Sequence, residues 1–264
     1  AGEGTEVELV ANQTPFYGES GGQIGDAGRL KTDSAEVIIT DTQKRLGDIN
    51  VHRGTVSKGT VKVGDVGVFT VDNGRRSSLR VHHSATHLLH EALRRRLGDH
   101  VTQKGSLVAS DRLRFDISHP RAIDADELRE IEREVNERIR LNTPVDTRLM
   151  TPEQANEQGA MALFGEKYGA EVRVVTMGGD GEQFSVELCG GTHVTRTGDI
   201  GFFHIVGETA VASGVRRIEA LAGAAAETYA REQEGLLGQV AHGLKTSAEG
   251  VPDRVQGLLE ERKN

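Results

Sequence analysis

Two short motifs in the chain each place two metal-binding side chains four positions apart. The first is His83-Ser-Ala-Thr-His87 and the second is Cys189-Gly-Gly-Thr-His193. Three imidazoles and one thiolate form a natural ligand set for zinc, which binds tetrahedrally through nitrogen and sulfur. Cys189 is the only cysteine of the chain, so it has no partner for an internal disulfide. Together the two motifs predict one joint zinc site.

The first motif needs a helix to bring its histidines together. Leucines recur at helical spacing after it, and residues four apart lie on one helical face, so His83 and His87 can grip one ion. His90 lies on the same side as His87 and is the rival ligand. The second motif follows a strand-like run, and its two glycines allow the backbone to turn tightly around an ion.

The same residues also allow a plainer interpretation. His83 and His87 can be an ordinary helical pair and Cys189 a buried small residue, and one such pair alone is weak evidence. If zinc is bound, four protein ligands are typical of a closed structural site, whereas a catalytic zinc keeps one position open for water. Both kinds of site stay open here. Ser84 stands where zinc peptidases of the HExxH type carry their general base, which argues against a peptidase.

Three segments would position these motifs, and the predicted fold class is α+β. Residues 1–74 contain strand-like runs at 5–10, 36–40, 51–56 and 66–71 between glycine turns, which predicts a small β-barrel. Residues 75–222 predict a two-layer α/β core that carries both motifs. Residues 223–264 predict a helical segment.

Within the core, a second helix is predicted from a capping box, in which Asp124 is followed by Glu127 three residues later. Its buried face would consist of Leu128, Ile131, Val135 and Ile139. The predicted core strands are 106–109, 113–118, 172–176, 184–188, 201–206 and 217–220. In the last segment the loose apolar stripe consists of Tyr229, Leu236, Val240 and Leu244, and Pro252 should break the helix.

Composition limits the classes of protein to which this chain can belong. One cysteine argues against a disulfide scaffold and fits a reducing, cytoplasmic compartment. No apolar run approaches about 18 residues and no signal-peptide pattern is present, so no membrane contact is expected. The net charge of −8 is unusual for a nucleic-acid binder, but residues 75–121 hold ten Lys or Arg against four Asp or Glu. That stretch flanks the first metal motif.

Five longer segments extend these motifs. They are residues 14–28, 82–90, 103–108 together with 112–116, 187–193 and 214–220. In this order they resemble the editing region of alanyl-tRNA synthetases and the freestanding alanyl-tRNA editing proteins related to it. The resemblance covers nearly the whole chain. Threonyl-tRNA synthetases share the metal motifs in their editing domain, but segments 14–28 and 214–220 favour the alanyl branch.

The resemblance implies a proofreading activity. The family hydrolyses the ester that links serine or glycine, wrongly attached, to the 3′-terminal adenosine of the tRNA for alanine. The positions that match the family's zinc ligands are His83, His87, Cys189 and His193. The positions that match its editing pocket are Thr86, Gln103 and Arg216, and we also count Cys189 among the catalytic positions.

The residue types at the implied pocket suit this chemistry. An aminoacyl ester is already activated, so the protein mainly has to place a water and stabilise an oxyanion. Thr86 can hydrogen-bond substrate or water, Gln103 offers a donor and an acceptor, and Arg216 can pair with phosphate or an oxyanion. Without the resemblance, the preferred interpretation of Thr86 is a hydroxyl bonded to its own helical turn, and that of Gln103 and Arg216 is a solvated surface.

The resemblance also implies partners and boundaries. The expected partner is the acceptor end of the tRNA for alanine, with Arg94, Arg95 and Arg96 either facing it or lying on a solvated helix face. Residues 223–264 imply a homodimer contact. The family's barrel begins upstream of Ala1, so we expect an excised part of a synthetase without the aminoacylation domain. The alternative is a non-catalytic tRNA-binding module with a structural zinc.

The loop Ser20-Gly-Gly-Gln23 has two interpretations. Gln23 either orients a water or binds the 3′ end of the tRNA, or the loop is simply a tight turn between strands.

Overall fold

The computed structural model describes residues 1–161, 170–178 and 183–262. Its contacts divide the chain into two units, Ala1–Gly223 and Ala224–Asn264. Antiparallel sheets and helices make up the first unit, and helices make up the second. The predicted α+β class is confirmed, whereas the division of residues 1–222 into two domains stays a prediction. No helix in the described ranges is long and apolar enough to cross a membrane.

The first sheet is built from the first seventy residues. Its strands are β1 (Glu6–Leu9), β2 (Gly28–Thr32), β3 (Ala35–Arg45), β4 (Ile49–Gly59) and β5 (Gly67–Val71). They pair antiparallel in the order β1-β4-β3-β2-β5. Side chains alternate between the two faces of a strand, and the inward set, including Val37, Ile39 and Val56, is buried. Four of these strands overlap predicted ones, and β2 does not.

The predicted β-barrel is not supported by this sheet. Closing a barrel requires the two edge strands to pair, whereas β1 and β5 are the opposite edges of the described sheet. A cleft of about 1170 Å³ is lined by residues from both edges, including Leu9 and Phe69. The sequence pattern located strands but carried no information about which edges meet, and here the edges remain apart.

The core follows in chain order. Its elements are α1 (Asn73–Leu97), β6 (Gln103–Val108), β7 (Leu113–Ser118), α2 (Ala125–Arg140), β8 (Val145–Met150), α3 (Pro152–Glu157), β9 (Val172–Gly178), β10 (Gln183–Leu188), a 3-10 helix (Thr197–Ile200), β11 (Phe203–Ala212) and β12 (Val215–Ala222). One sheet has the order β11-β12-β7-β6 and the other has the order β10-β9-β8.

Two helices cover the four-stranded sheet. α1 contacts β6, β7 and β12, α2 contacts β11, and the two helices contact each other, which gives a helix layer on a sheet layer. Between the layers lie Leu88, Leu93, Phe115 and Ile218, each with at most 1% of its surface exposed. The predicted capping box of α2 is confirmed, because Asp124 accepts from the Glu127 N–H and the Glu127 side chain accepts in return.

The second unit contains α4 (Ala224–Gly243) and α5 (Val251–Glu261). The helical prediction is therefore confirmed for its described residues. Pro252 lies in the first turn of α5, where the N–H that proline lacks would have no partner in the helix. It begins a helix rather than breaking one. In α4, Leu236 and Val240 of the predicted stripe are about half exposed, at 54% and 48%.

Candidate metal centre

One turn of α1 presents the first motif. The helix begins after Asp72, whose side chain accepts a hydrogen bond from the Arg75 N–H, and it continues through both histidines. The rings of His83 and His87 stack, with centroids 5.1 Å apart and planes 11° apart. The predicted helix therefore places both imidazoles on one face and directs them at the same space.

The loop after β10 presents the second motif. Cys189 donates its N–H to the Arg173 carbonyl of the neighbouring strand, at 2.9 Å. The Arg173 guanidinium in turn donates to the carbonyls of Cys189 and Gly191, at 2.9 and 2.5 Å. Gly191 lies directly against His83, since a Cβ at this position would be 2.0 Å from Cε1 of that ring. Only glycine lets the loop approach this closely.

The four predicted ligands meet at one point. One donor atom from each of His83, His87, Cys189 and His193 lies within 4.8 Å of the others. The Cys189 Sγ is 3.4 Å from His83 Nε2 and 3.3 Å from His193 Nε2. Zinc bond lengths of 2.0–2.3 Å in tetrahedral geometry separate sulfur and nitrogen ligands by about 3.5 Å. The donor set and its spacing therefore fit a metal ion such as zinc.

Outer partners hold the rings from behind. His83 Nδ1 is 2.7 Å from Gln23 Oε1, and His87 Nδ1 is 2.6 Å from Glu187 Oε2. His193 Nδ1 lies 3.4 Å from the Ser84 hydroxyl. Metal-binding histidines commonly bond their second nitrogen in this way, which fixes the ring and leaves the other nitrogen for the ion. His87 Nε2 is buried without a hydrogen-bond partner, which leaves it available to an ion, and the Nε2 atom of the neighbouring His90 is likewise unpaired.

His90, the rival ligand, lies behind the cluster. Its Nδ1 is 3.0 Å from Glu187 Oε1, so His90 and His87 share one buried carboxylate. It is not among the four residues whose donor atoms converge. The geometry therefore gives His90 a role in orienting Glu187.

Electrostatics within the cluster favour a thiolate. Burial raises the pKa of Cys189, but the nearby His83 and His87 outweigh it and hold that pKa well below its usual range. Burial lowers the pKa of His193 to about 3, which keeps that ring neutral. Burial also lowers the pKa of His87, yet the Glu187 carboxylate and the Cys189 thiolate together more than offset this and raise it to about 10. A metal ion has to displace the proton from His87, so binding should release protons.

The other predicted site residues are less directly connected to the cluster. The buried Thr86 adjoins His87 on α1, and its hydroxyl donates to the His82 carbonyl at 2.8 Å, as in the plainer interpretation. Gln103 begins β6 and is half-buried. Arg216 on β12 donates to both carboxylate oxygens of Glu208, one of them at 2.7 Å. Its hydrogen bonds thus go to Glu208 rather than to the four ligands.

Gln103 and Arg216 nevertheless share one row of the sheet. Gln103 pairs with Ile117, and Ile117 pairs with Arg216. Residues paired across neighbouring strands point to the same face, and two strand spacings place them roughly 10 Å apart. The sheet therefore sets a polar side chain and a cation on the same face, with Ile117 between them.

Sequence reasoning missed the outer partners. Glu187 lies two residues before Cys189 in a strand where polar and apolar residues alternate, so the pattern placed it on the polar face, whereas the structure buries it. The glycine loop drew attention to Gln23, but for contact with water or the tRNA end. The actual contacts of Gln23 and Arg173 depend on distant segments, for which no local signal existed.

Two family models match parts of the chain. The model described as threonyl and alanyl tRNA synthetase second additional domain matches residues 172–219, which include the second metal motif. The model described as tRNA synthetases class II (A) matches residues 1–75, the region of the first sheet.

Curated relatives extend these matches over almost the whole chain. The alanine–tRNA ligase of Granulibacter bethesdensis is 60% identical over 265 aligned positions, covering 98% of this chain. Those of Gluconobacter oxydans and Rhizorhabdus wittichii are 60% and 58% identical, covering 100% and 98% of it. The chain spans about 30% of the length of each of these relatives.

Proposed function

We propose a function for this chain on the premise, confirmed by these relatives, that it corresponds to a segment of the alanine–tRNA ligases. Its activity is the proofreading hydrolysis of the aminoacyl ester of tRNA for alanine mischarged with serine or glycine. The reaction cleaves the ester bond and releases the free amino acid and the tRNA. The chain would act as the editing part of such a ligase, in the cytoplasm.

The observation that carries this proposal is the meeting of the four ligands. Two segments more than one hundred residues apart bring three imidazoles and the only cysteine within 4.8 Å. This donor set suits zinc better than harder cations, which prefer oxygen. When bound, zinc would supply Lewis acidity toward the substrate's carbonyl, amino or hydroxyl group.

The chain's own side chains would bind the substrate and stabilise the charge that develops during hydrolysis. Thr86 lies beside His87, and its hydroxyl would exchange the His82 carbonyl for a substrate or a water. Gln103 would bond the substrate through its amide. Arg216 would pair with a phosphate or a developing oxyanion, in competition with Glu208. Cys189 contributes as a thiolate ligand.

Selectivity for serine over alanine follows from the kind of pocket. A site built to hydrogen-bond a hydroxyl rejects an analogue without it by a large factor, because its polar groups would be left unpaired. Serine carries this hydroxyl and alanine does not; glycine lacks it as well, so this argument applies to serine alone. Correctly charged tRNA should therefore be released intact.

The partner would be the acceptor end of the tRNA. Arg94 and Arg95 at the end of α1 form ion pairs with Asp99 and Glu91, and Arg95 also lies over the Phe184 ring at 4.4 Å. One partner of each pair is exposed, Asp99 at 98% and Arg95 at 39%, so solvent weakens both pairs and phosphates can compete for the arginines. A homodimer contact would use the exposed apolar residues of α4, among them Leu236 and Val240.

A second candidate is a non-catalytic tRNA-binding module with a structural zinc. The specific observation in its favour is that the ligand set is complete and largely buried, with His83, His87 and Cys189 at most 5% exposed. Closed sets of four protein ligands are typical of structural sites. His193, which is only partly buried, marks the side from which a substrate would approach in the catalytic reading.

Parallel hydrolysis assays separate the two candidates. Purified Ser-tRNA(Ala) and Ala-tRNA(Ala) are incubated with the chain, and zinc content is measured on the same sample. We expect selective release of serine, its loss in Cys189→Ala with tRNA binding retained, and no effect in His242→Ala, an exposed histidine of α4. Binding of tRNA and zinc without release of serine would contradict the editing function and favour the binding module.

A further inference from the structure

We propose that Gln23 is a positioning residue that fixes His83 as a metal ligand, and that the loop Ser20–Gln23 exists to deliver it. The inference rests on the metal centre of the proposed function. It assigns to this glycine loop a role distinct from contact with water or with the tRNA end.

Gln23 is completely buried and its polar atoms are engaged by the protein. Its Oε1 accepts from His83 Nδ1 at 2.7 Å and from the Thr192 N–H at 2.9 Å. Its Nε2 donates to the Thr192 hydroxyl at 3.0 Å. One side chain thus holds a residue from each metal motif. With no exposed surface, it has no access to a tRNA end.

The hydrogen bonds fix which nitrogen of His83 carries the proton. A backbone N–H can only donate, so the amide atom facing the Thr192 N–H must be the oxygen. The same oxygen faces His83 Nδ1 and can only accept, so that nitrogen must carry the hydrogen. A ring whose single hydrogen is on Nδ1 has its lone pair on Nε2, the atom that lies 3.4 Å from Cys189 Sγ. Gln23 therefore selects the tautomer that an ion at the cluster requires.

The loop that carries Gln23 is tied to the core by its backbone. The Val108 N–H donates to the Gly22 carbonyl at 2.7 Å, and the Ile24 N–H donates to the Val108 carbonyl at 3.1 Å. Gly22 has a φ of +86°, and a Cβ there would lie 2.8 Å from the Ser106 carbonyl oxygen. Glycine is thus required at this position. The end of β6 therefore sets the position of Gln23. Gln23 in turn links the loop between β1 and β2 to the metal ligands.

Two substitutions separate hydrogen bonding from packing. Gln23→Leu removes the acceptor at similar volume, and we expect zinc affinity, measured by competition with a chromophoric chelator, to fall about 10- to 100-fold. Gln23→Glu keeps an oxygen toward both donors, as Glu187 provides for His87, and should bind zinc nearly as the unmodified chain does. Gln43→Leu is the matched control, because that amide, on β3, bonds Glu19 and Asp41 and none of the metal ligands.

Spectroscopy gives a second readout. In the Co²⁺-substituted chain, the ligand-field absorption should change in Gln23→Leu and not in Gln43→Leu. Long-range ¹H–¹⁵N spectra of the unmodified, zinc-loaded chain should show His83 protonated at Nδ1, a test that needs no variant to fold.

Several results would overturn the inference. They are an unchanged zinc affinity in folded Gln23→Leu, an equal loss in Gln23→Glu, or coordination of His83 through Nδ1. An unmodified chain that binds no zinc would overturn it together with the metal centre. A chain that binds zinc but releases no serine overturns only the proposed function, and the affinity comparison still decides the role of Gln23.

Discussion

Replacing Gly191 by alanine should remove His83 from the metal centre. The new Cβ would lie 2.0 Å from Cε1 and 2.4 Å from Nδ1 of the His83 ring. Non-bonded carbons approach no closer than about 3.5 Å without repulsion, so the ring or the loop has to move by roughly 1.5 Å. The loop cannot readily retreat, because Arg173 holds the Gly191 carbonyl and Gln23 holds the Thr192 N–H. The ring is therefore the part that yields.

A displacement of this size is large compared with the tolerance of a metal bond. Zinc–ligand distances in real sites vary by about 0.2 Å, so a shift of roughly 1.5 Å breaks the bond to His83. Losing an outer partner lowers metal affinity about 10- to 100-fold, and losing a ligand should lower it further. We therefore expect zinc affinity to fall by at least about 100-fold.

Chelator competition on purified Gly191→Ala measures this loss. Gly190→Ala is the matched control, since a Cβ at that position meets nothing within 4 Å. Neither glycine has a positive φ, so alanine strains the backbone at neither position. Circular dichroism establishes that both variants fold. Zinc affinity within about twofold of the unmodified chain in folded Gly191→Ala would refute the steric argument.

Three further predictions concern the scaffold and the tRNA surface. Leu88→Ala empties a fully buried position and should lower the free energy of unfolding by about 2–5 kcal/mol, whereas Leu46→Ala at 92% exposure should change it little in the same denaturant titration. Arg121 holds the pKa of Glu127 at about 2, below its unfolded value of about 4.3, so Glu127 stabilises fully above that value and less as the pH falls toward 2. Unfolding titrations of Glu127→Gln should therefore show a shallower acid dependence across that window. Arg95→Glu should weaken tRNA binding and reduce its dependence on salt, and an unchanged salt slope would exclude Arg95 from the tRNA surface.

Local patterns predicted the elements that carry the metal ligands. The helix through His83 and His87 has a long apolar face, and the helix after Asp124 has a capping box. Each helix can therefore be predicted from the sequence of a few turns. By contrast, β8 was missed because most of its side chains are exposed and polar, which leaves no alternating pattern to detect. β2 was missed because it is only five residues long and follows a glycine-rich stretch.

Only the metal ligands of the site could be predicted from the sequence, because their residue types and spacing indicate their chemistry. Residue types and spacing pointed to His83, His87, Cys189 and His193, and the structure brings these four together. The outer residues depend on tertiary contacts, such as the one between Gln23 and His83, which are 60 positions apart. The hydrogen bond between Arg216 and Glu208 depends on strand register, which the sequence alone did not supply. The first sheet stays open for a similar reason, because tertiary contacts and not local sequence decide whether its edge strands pair.

His83 and Cys189 are separated by 106 positions along the chain, yet their donor atoms are 3.4 Å apart. An ion held by both would close a very long loop. For a covalent link around about 100 residues, the lost entropy of the unfolded chain corresponds to about 4.7 kcal/mol. Stability should then rise with the concentration of free metal. The same separation predicts that the cluster forms late in folding, because contacts so distant in sequence must first overcome a large loop-closure entropy.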